Sequence, residues 1–220
     1  MAHGLRAARA FAPAACLGVL TACATALPPA MTVATPATAA RAGGTVVVLV
    51  RPASVCDTND YSVVVDEQGH FVANVLPDTR VVVHVNAGTH VFYAWNDVDL
   101  LVDREPNFNP VAAVRATVGE AKTEYVALIV PMNGSDCISA SGRTWVDMTV
   151  VRPGDDLARE LPSWLGATKE IVADSRAGQA ELSSHPAHLE TYLELGARKL
   201  RQIEDGAAHR ESVKARDAEK

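Results

Sequence analysis

The chain has 220 residues, 20 Lys+Arg against 26 Asp+Glu and a formal net charge of −6. Arg6 and Arg9 sit in a first 22 residues without an acid, so the remainder carries −8. That balance disfavours a nucleic-acid partner, because phosphate binding needs a basic face. The length allows one domain with a substantial core, or one domain and an appendage.

Arg6 and Arg9 open a positively charged start, and Ala10–Leu20 is a short apolar segment. It is too short to span a bilayer, which takes about 20 residues. Leu20-Thr21-Ala22-Cys23 then resembles the lipobox of bacterial lipoproteins, in which the signal is removed before the Cys and the Cys is acylated. The resemblance implies a signal over 1–22, lipidation of Cys23 and, with Ala24 rather than Asp next, sorting to the outer membrane. Several acyl chains anchor stably where one is marginal. The alternative is a secreted protein cut after Ala24-Thr25-Ala26, also an A-x-A site. Residues 23–44 are rich in Ala, Thr and Pro without periodicity, and are expected to be a linker.

Four cysteines are present. Cys16 leaves with the signal and Cys23 takes lipid, which leaves Cys56 and Cys137 in turn-like segments. An exported chain meets an oxidising compartment, so these two are expected to pair as a disulfide.

Residues 45–152 read as a β domain. Thr45–Arg51, Tyr61–Asp66, His70–Val75, Val111–Val118, Thr123–Val130 and Thr144–Arg152 are predicted strands, rich in β-branched residues and separated by turn signals. Thr79–Trp95 reads as a hairpin. If Ala87-Gly88 is its two-residue loop, Val85 faces His90 and His84 faces Val91, which puts the two histidines on opposite faces. The spacing predicts an antiparallel β-sandwich. Val46–Val50 and Val81–Val83 are apolar throughout rather than alternating, which predicts burial on both faces. The cover must come from the C-terminal region. Residues 153–205 are expected to be helical, opening at Asp155-Asp156, with Ser163 starting a continuation to about Asp174 after Pro162. A second helix is expected over Ala187–Asp205. Its Leu189, Tyr192, Leu193, Leu200 and Ile203 form one apolar stripe. Residues 206–220 read as a polar tail.

VVVLVRP with Arg51-Pro52, then YSVVVDEQG, AGTH and GEAKTEYVALIV resemble an uncharacterised bacterial lipoprotein domain with transthyretin-like or PEGA-like β architecture. The resemblance covers about Thr45–Val130. It departs at Asn86–His90, which lacks the family's proline, and at Gly119–Tyr125, which is one residue longer. It implies an envelope β-sandwich module with no agreed activity.

The candidate chemistry is sparse. Asp97, Asp99, Asp103 and Glu105 cluster, but Leu101 stands where a third acidic Ca²⁺ ligand would be needed. His185 and His188 have i, i+3 spacing without a third zinc ligand at a matching position. Ser135 and Ser139 flank Cys137 without a nucleophile elbow. Tyr93, Trp95 and Trp145 either line a carbohydrate or peptide groove or belong to the core. The expectation is therefore a non-enzymatic, membrane-tethered envelope module with no metal and no cofactor. Its partner would be an envelope protein or a glycan. The alternatives are a glycan- or peptide-binding domain that uses exposed aromatics, and an envelope hydrolase.

Overall fold

A computed structural model describes residues 27–35, 44–54, 61–96, 111–130, 132–133, 136–137, 139–140, 143–144 and 146–218. In chain order the strands are β1 (Met31–Val33), β2 (Val46–Arg51), β3 (Ser62–Asp66), β4 (Phe71–Val75), β5 (Thr79–His84), β6 (Gly88–Asn96), β7 (Ala112–Val118) and β8 (Thr123–Ile129). Four two-residue strands follow: β9 (Met132–Asn133), β10 (Asp136–Cys137), β11 (Ser139–Ala140) and β12 (Arg143–Thr144). Then come β13 (Asp147–Val150), α1 (Asp156–Ala167), β14 (Lys169–Ala173), α2 (Ser175–Ser183) and α3 (Pro186–Ala218).

The protein is mainly β, with two principal sheets and C-terminal helices. The larger sheet has the order β1-β14-β5-β2-β8-β13 and the smaller β4-β3-β6-β7. The smaller sheet is antiparallel throughout. The larger is mixed, because β2 runs parallel to β8 and β5 parallel to β14. A parallel pair needs a crossover. Here β8 reaches β2 after the chain has visited the other sheet, and β14 reaches β5 after α1.

The expected Thr79–Trp95 hairpin does not form. β5 pairs with β2 and β14, while β6 pairs with β3 and β7 in the other sheet. Each already has a neighbour on both edges, so Val85–Ala87 bridges the two sheets instead of folding one strand onto the other. Gly88 takes φ 142°, a value that L side chains rarely adopt. The predicted register is lost with the hairpin: His84 lies opposite Val46, and His90 opposite Ala116. The β7–β8 turn changes sheets in the same way. The β3–β4 turn is the local hairpin the sequence suggested. Its Asp66 Oδ1 accepts from the Gln68 and His70 amides at 2.9 and 2.8 Å, and Gly69 takes φ 82°.

The C-terminal helices were expected to pack on one sheet; instead both outer faces are covered, by different helices. Val47, Leu49, Val64, Phe92, Val126 and Leu128 fill the space between the sheets. Val50 and Ala127 face outward from the larger sheet onto Leu157, Ala158, Leu161 and Trp164 of α1. The expected double burial of Val46–Val50 therefore holds. It holds less well for Val81–Val83: Val82 is half-buried and absent from the cluster beneath α1, and Val83 is half-buried at the margin of the inter-sheet core. α3 covers the smaller sheet, placing Tyr192 and Leu200 on Val63, Val65, Tyr93 and Trp95. It docks closely because Gly178 on α2 and Gly196 on α3 lie against the rings of Phe71 and Tyr93, where a Cβ would overlap them.

Three elements differ from expectation. The helix predicted to run from Ser163 to Asp174 ends at Ala167, and Lys169–Ala173 is β14. Ile171 is buried in the inter-sheet core, and the free edge of β5 captures this β-branched segment. Arg80 fixes the change of structure by donating to the Leu165 and Thr168 carbonyls at 2.9 and 2.6 Å. Pro162 lies inside α1 rather than ending it. Within the stretch read as a linker, Met31–Val33 forms an edge strand on β14, and Met31 joins the core. α3 continues through Gly206 to Ala218 rather than stopping at Asp205.

Candidate functional site

A partly enclosed cavity lies between the smaller sheet and the α2–α3 junction. It measures about 50 Å³ and is lined by Tyr61, Val63, Phe71, Asn74, Trp95, Gly178, Glu181, Leu182, His185, His188 and Leu189. The sheet supplies the floor. Asn74 lies opposite Val63, and Val63 opposite Trp95, so the three form one cross-strand row. Directly opposed residues project to the same face, here the helix side. Trp95 is 1% exposed and stacks on Tyr192 with ring centroids 4.7 Å apart. The helices supply the rim, where Glu181, His185 and His188 are exposed.

Two polar atoms of the floor are buried without hydrogen-bond partners among the described residues: Oδ1 of Asn74 and Nε1 of Trp95. Asn74 Nδ2 donates to the Pro29 carbonyl at 2.9 Å, which fixes the amide. An unsatisfied buried donor or acceptor costs about 1–3 kcal/mol.

The rim chemistry has a defined direction. Ser184 Oγ lies 2.6 Å from the Glu181 carbonyl and 2.8 Å from His185 Nδ1. A hydroxyl has one proton, and the carbonyl can only accept it. Ser184 must therefore accept from His185 Nδ1–H, the reverse of what activates a serine nucleophile. His185 and His188 lie ring to ring, 5.9 Å apart and 4° from parallel. Among the described residues no three His, Cys, Asp or Glu side chains converge to hold a metal.

Two other polar regions stand apart. At one end of the body Thr45, His84, Val85, Asn86, Ala87, His90 and Glu120 border an open concavity of about 600 Å³. His84 and His90 thus border one opening, because the chain between them crosses from sheet to sheet. The Asn86 carbonyl lies 2.8 Å from His90 Nε2, so that nitrogen carries the proton. Between the sheets, Arg51 is fully buried, and its Nη1 donates to Ser62 Oγ at 3.0 Å and to the Val75 carbonyl at 3.2 Å. Ser62 Oγ in turn donates to Asn96 Oδ1 at 2.9 Å. The Arg51 of the Arg-Pro pair is thus part of a polar link between the layers.

Of the sequence-predicted residues, Tyr93 and Trp95 lie beneath α3, 6% and 1% exposed, and present no open groove. Burial is the main cause pushing the Tyr93 phenol above its ordinary value of 10.0; Glu67 adds to it, and Arg115 and Arg201 oppose it. Cys137 falls in β10, which pairs with β9. Cys23, Cys56, Trp145, Ser135, Asp97, Asp99, Asp103 and Glu105 lie outside the described residues. The Asn74–Trp95 row was missed because its three members come from three strands. The one local signal is the polar Asn74 set in the apolar run Phe71–Val75.

Among the described residues no helix is long and apolar enough to cross a membrane. Comparison with protein-family models, with curated proteins and with solved structures gives no match.

Proposed function

We propose that the chain is a non-enzymatic, lipid-anchored binding or structural module of the bacterial cell envelope, tethered through Cys23 and sorted to the outer membrane. The observation that carries this is Leu20-Thr21-Ala22-Cys23 following a basic and then apolar start. The fold adds a geometric consequence. Met31 follows Cys23 by eight residues and is already fixed in the larger sheet. At about 3.3 Å per residue the body then sits within roughly 26 Å of the acylated Cys. A free linker up to Gly44 would allow about 65 Å.

The two-sheet body is read as a variant of the transthyretin-like or PEGA-like sandwich that Thr45–Val130 resembles, with helices added on both outer faces. The non-enzymatic reading is supported by how reactive groups are used. Arg51, Ser62 and Asn96 bond to one another, and the Ser184–His185 pair is oriented against nucleophile activation.

Cys23→Ala in the full chain, followed by membrane fractionation and metabolic labelling with a fatty acid, tests the anchor. The expected result is loss of label and release from the membrane pellet. Membrane association and labelling equal to the parent chain would overturn it. Comparing mobility with and without reductant tests the proposed Cys56–Cys137 pair, which should give a more compact oxidised species that Cys56→Ser abolishes.

A further inference from the structure

Among the described residues three large apolar side chains are exposed: Leu27 at 36%, Val33 at 55% and Ile203 at 40%. Two of the three flank Met31 on one short stretch, and that stretch carries β1, an outermost strand of the larger sheet. Ile203 belongs to the other side of the molecule. It borders a concavity with Met148, Thr149 and Val150 of β13, the opposite edge of the same sheet. Four strands separate β1 from β13, so at about 4.8 Å per step the two edges stand about 24 Å apart.

The backbone explains why Val33 is bare. The Ala30 carbonyl accepts from the Asp174 amide at 2.7 Å, and the Ala34 amide donates to the Glu170 carbonyl at 3.0 Å. In an antiparallel pair alternate residues bond to the partner strand, so the Val33 N–H and C=O point away from β14. Met31 and Val33 project to the same side of β1. The core takes Met31 and leaves Val33 uncovered.

Chain length and charge indicate what meets this edge. Leu27 follows Cys23 by four residues. At about 3.3 Å per residue it lies within roughly 13 Å of a cysteine whose acyl chains are in the bilayer. The charges around β14 balance: Asp78 accepts through its carbonyl from the Lys169 amide, Glu170 lies 3.5 Å from Arg80, and Asp174 precedes Arg176 by two residues. The chain after residue 22 carries −8, so this edge is neutral on an acidic protein and does not repel an anionic lipid surface. Two partly exposed aliphatic side chains would not hold a free protein on lipid. A tether that fixes one end raises the effective concentration of the surface and makes a weak contact persist. The outward backbone groups of Val33 set its depth, since they need the headgroup layer rather than hydrocarbon.

From this we propose that the β1 edge, through Leu27 and Val33, is a membrane-contact surface that lays the tethered body against phospholipid headgroups and turns the β13 edge, with Ile203, away from them. The inference rests on the lipid-anchor reading and adds the orientation of the body.

The test uses the full, lipidated chain, purified and reconstituted in vesicles of phosphatidylethanolamine and phosphatidylglycerol. The photo-crosslinking residue p-benzoylphenylalanine replaces Val33 in one sample and Ile203 in another, both exposed positions, and adducts are identified by mass spectrometry. The expected result is a phospholipid adduct at position 33 about tenfold more abundant than at position 203. Leu27→Ser, added to the chain with the crosslinker at position 33, should lower that adduct severalfold. Fatty-acid labelling of Cys23 on the same samples separates the two readings. Absence of label overturns the anchor and this inference with it. Label with equal lipid adducts at the two positions, with no lipid adduct at 33, with a yield unmoved by Leu27→Ser, or with adducts at 33 chiefly to a second copy of the chain overturns this inference and leaves the anchor standing.

Discussion

The two outer faces of the body are covered in different ways. On the larger sheet, α1 rests Leu157, Leu161 and Trp164 on Val50 and Ala127, and Val82 stays half-buried beyond its reach. Its position is fixed at the C-terminal end, where Arg80 holds the Leu165 and Thr168 carbonyls. On the smaller sheet, α2 and α3 lie so close that two glycines replace side chains at the contacts, and Trp95 stacks on Tyr192. One cover is a loose apolar contact held at an end, whereas the other is shaped to particular rings. A small cavity lies at the α2–α3 junction, bordered by Phe71, Trp95 and Gly178. The site lies where fit is most demanding, not where valine is most abundant.

Substitutions at glycine separate the two covers most sharply. Gly196→Val drives a branched side chain into Tyr93, and overpacking of this kind costs about 3 kcal/mol or more. Urea unfolding should show a large fall in midpoint; a midpoint within error of the parent would mean that α3 does not dock as closely as described. Arg80→Ala tests the end clamp on the other cover. It removes the donors to two carbonyls and should cost about 2 kcal/mol. Hydrogen exchange should rise first in β14 and the last turn of α1, and protection unchanged there would argue against the clamp.

Gly166→Ala, by contrast, adds a Cβ to α1 where nothing lies within 4 Å. It should stabilise by about 0.5–1 kcal/mol through helix propensity. A destabilisation would show that α1 fits its sheet more tightly than its contacts suggest. The smallest effect is expected from Tyr93→Phe. Burial raises the folded-state phenol above 10.0, so the folded chain holds that proton more tightly than the unfolded chain. Stability from this group is complete below pH about 10 and is lost as pH rises through the folded value. Tyr93→Phe should flatten the alkaline limb of a stability–pH curve and leave neutral pH nearly unchanged. An identical limb would place the phenol in water.

Much of the β body was legible because β-branched runs bounded by turn residues have few other solutions. Val46–Arg51, Ser62–Asp66 and Phe71–Val75 lie where the residues suggested, and Glu67-Gln68-Gly69 turns as expected. The Asn86–Gly88 segment was misread because a tight-turn signal states that the chain reverses, not whether the second strand joins the first or crosses to another sheet. Lys169–Ala173 was misread because Pro162 looks like an interruption, while the pull of an open β5 edge cannot be seen from position 169. Met31–Val33 was hidden in an Ala-, Thr- and Pro-rich stretch, since three residues cannot advertise a strand whose partner is 140 positions away.

The candidate site was legible only in parts. Trp95, His185 and His188 were singled out one by one, but Asn74 and Glu181 were not. Nothing local couples an asparagine on β4 to an indole on β6 through a valine on β3.

Residue order alone determined the β content, the turn at Glu67-Gln68-Gly69, the apolar stripe of the last helix from Leu189 to Leu200, beyond which Ile203 is exposed, and the need for a second cover over Val46–Val50. Each depends on propensity or on periodicity within a few residues, which short-range sterics and burial enforce. Tertiary structure alone decided which strands share a sheet, that β2 and β8 run parallel, that two separate helical covers exist and that Asn74, Trp95 and Glu181 meet around one cavity. Those outcomes depend on competition for open strand edges and on the fit of distant side chains, and both are settled only when the whole chain packs.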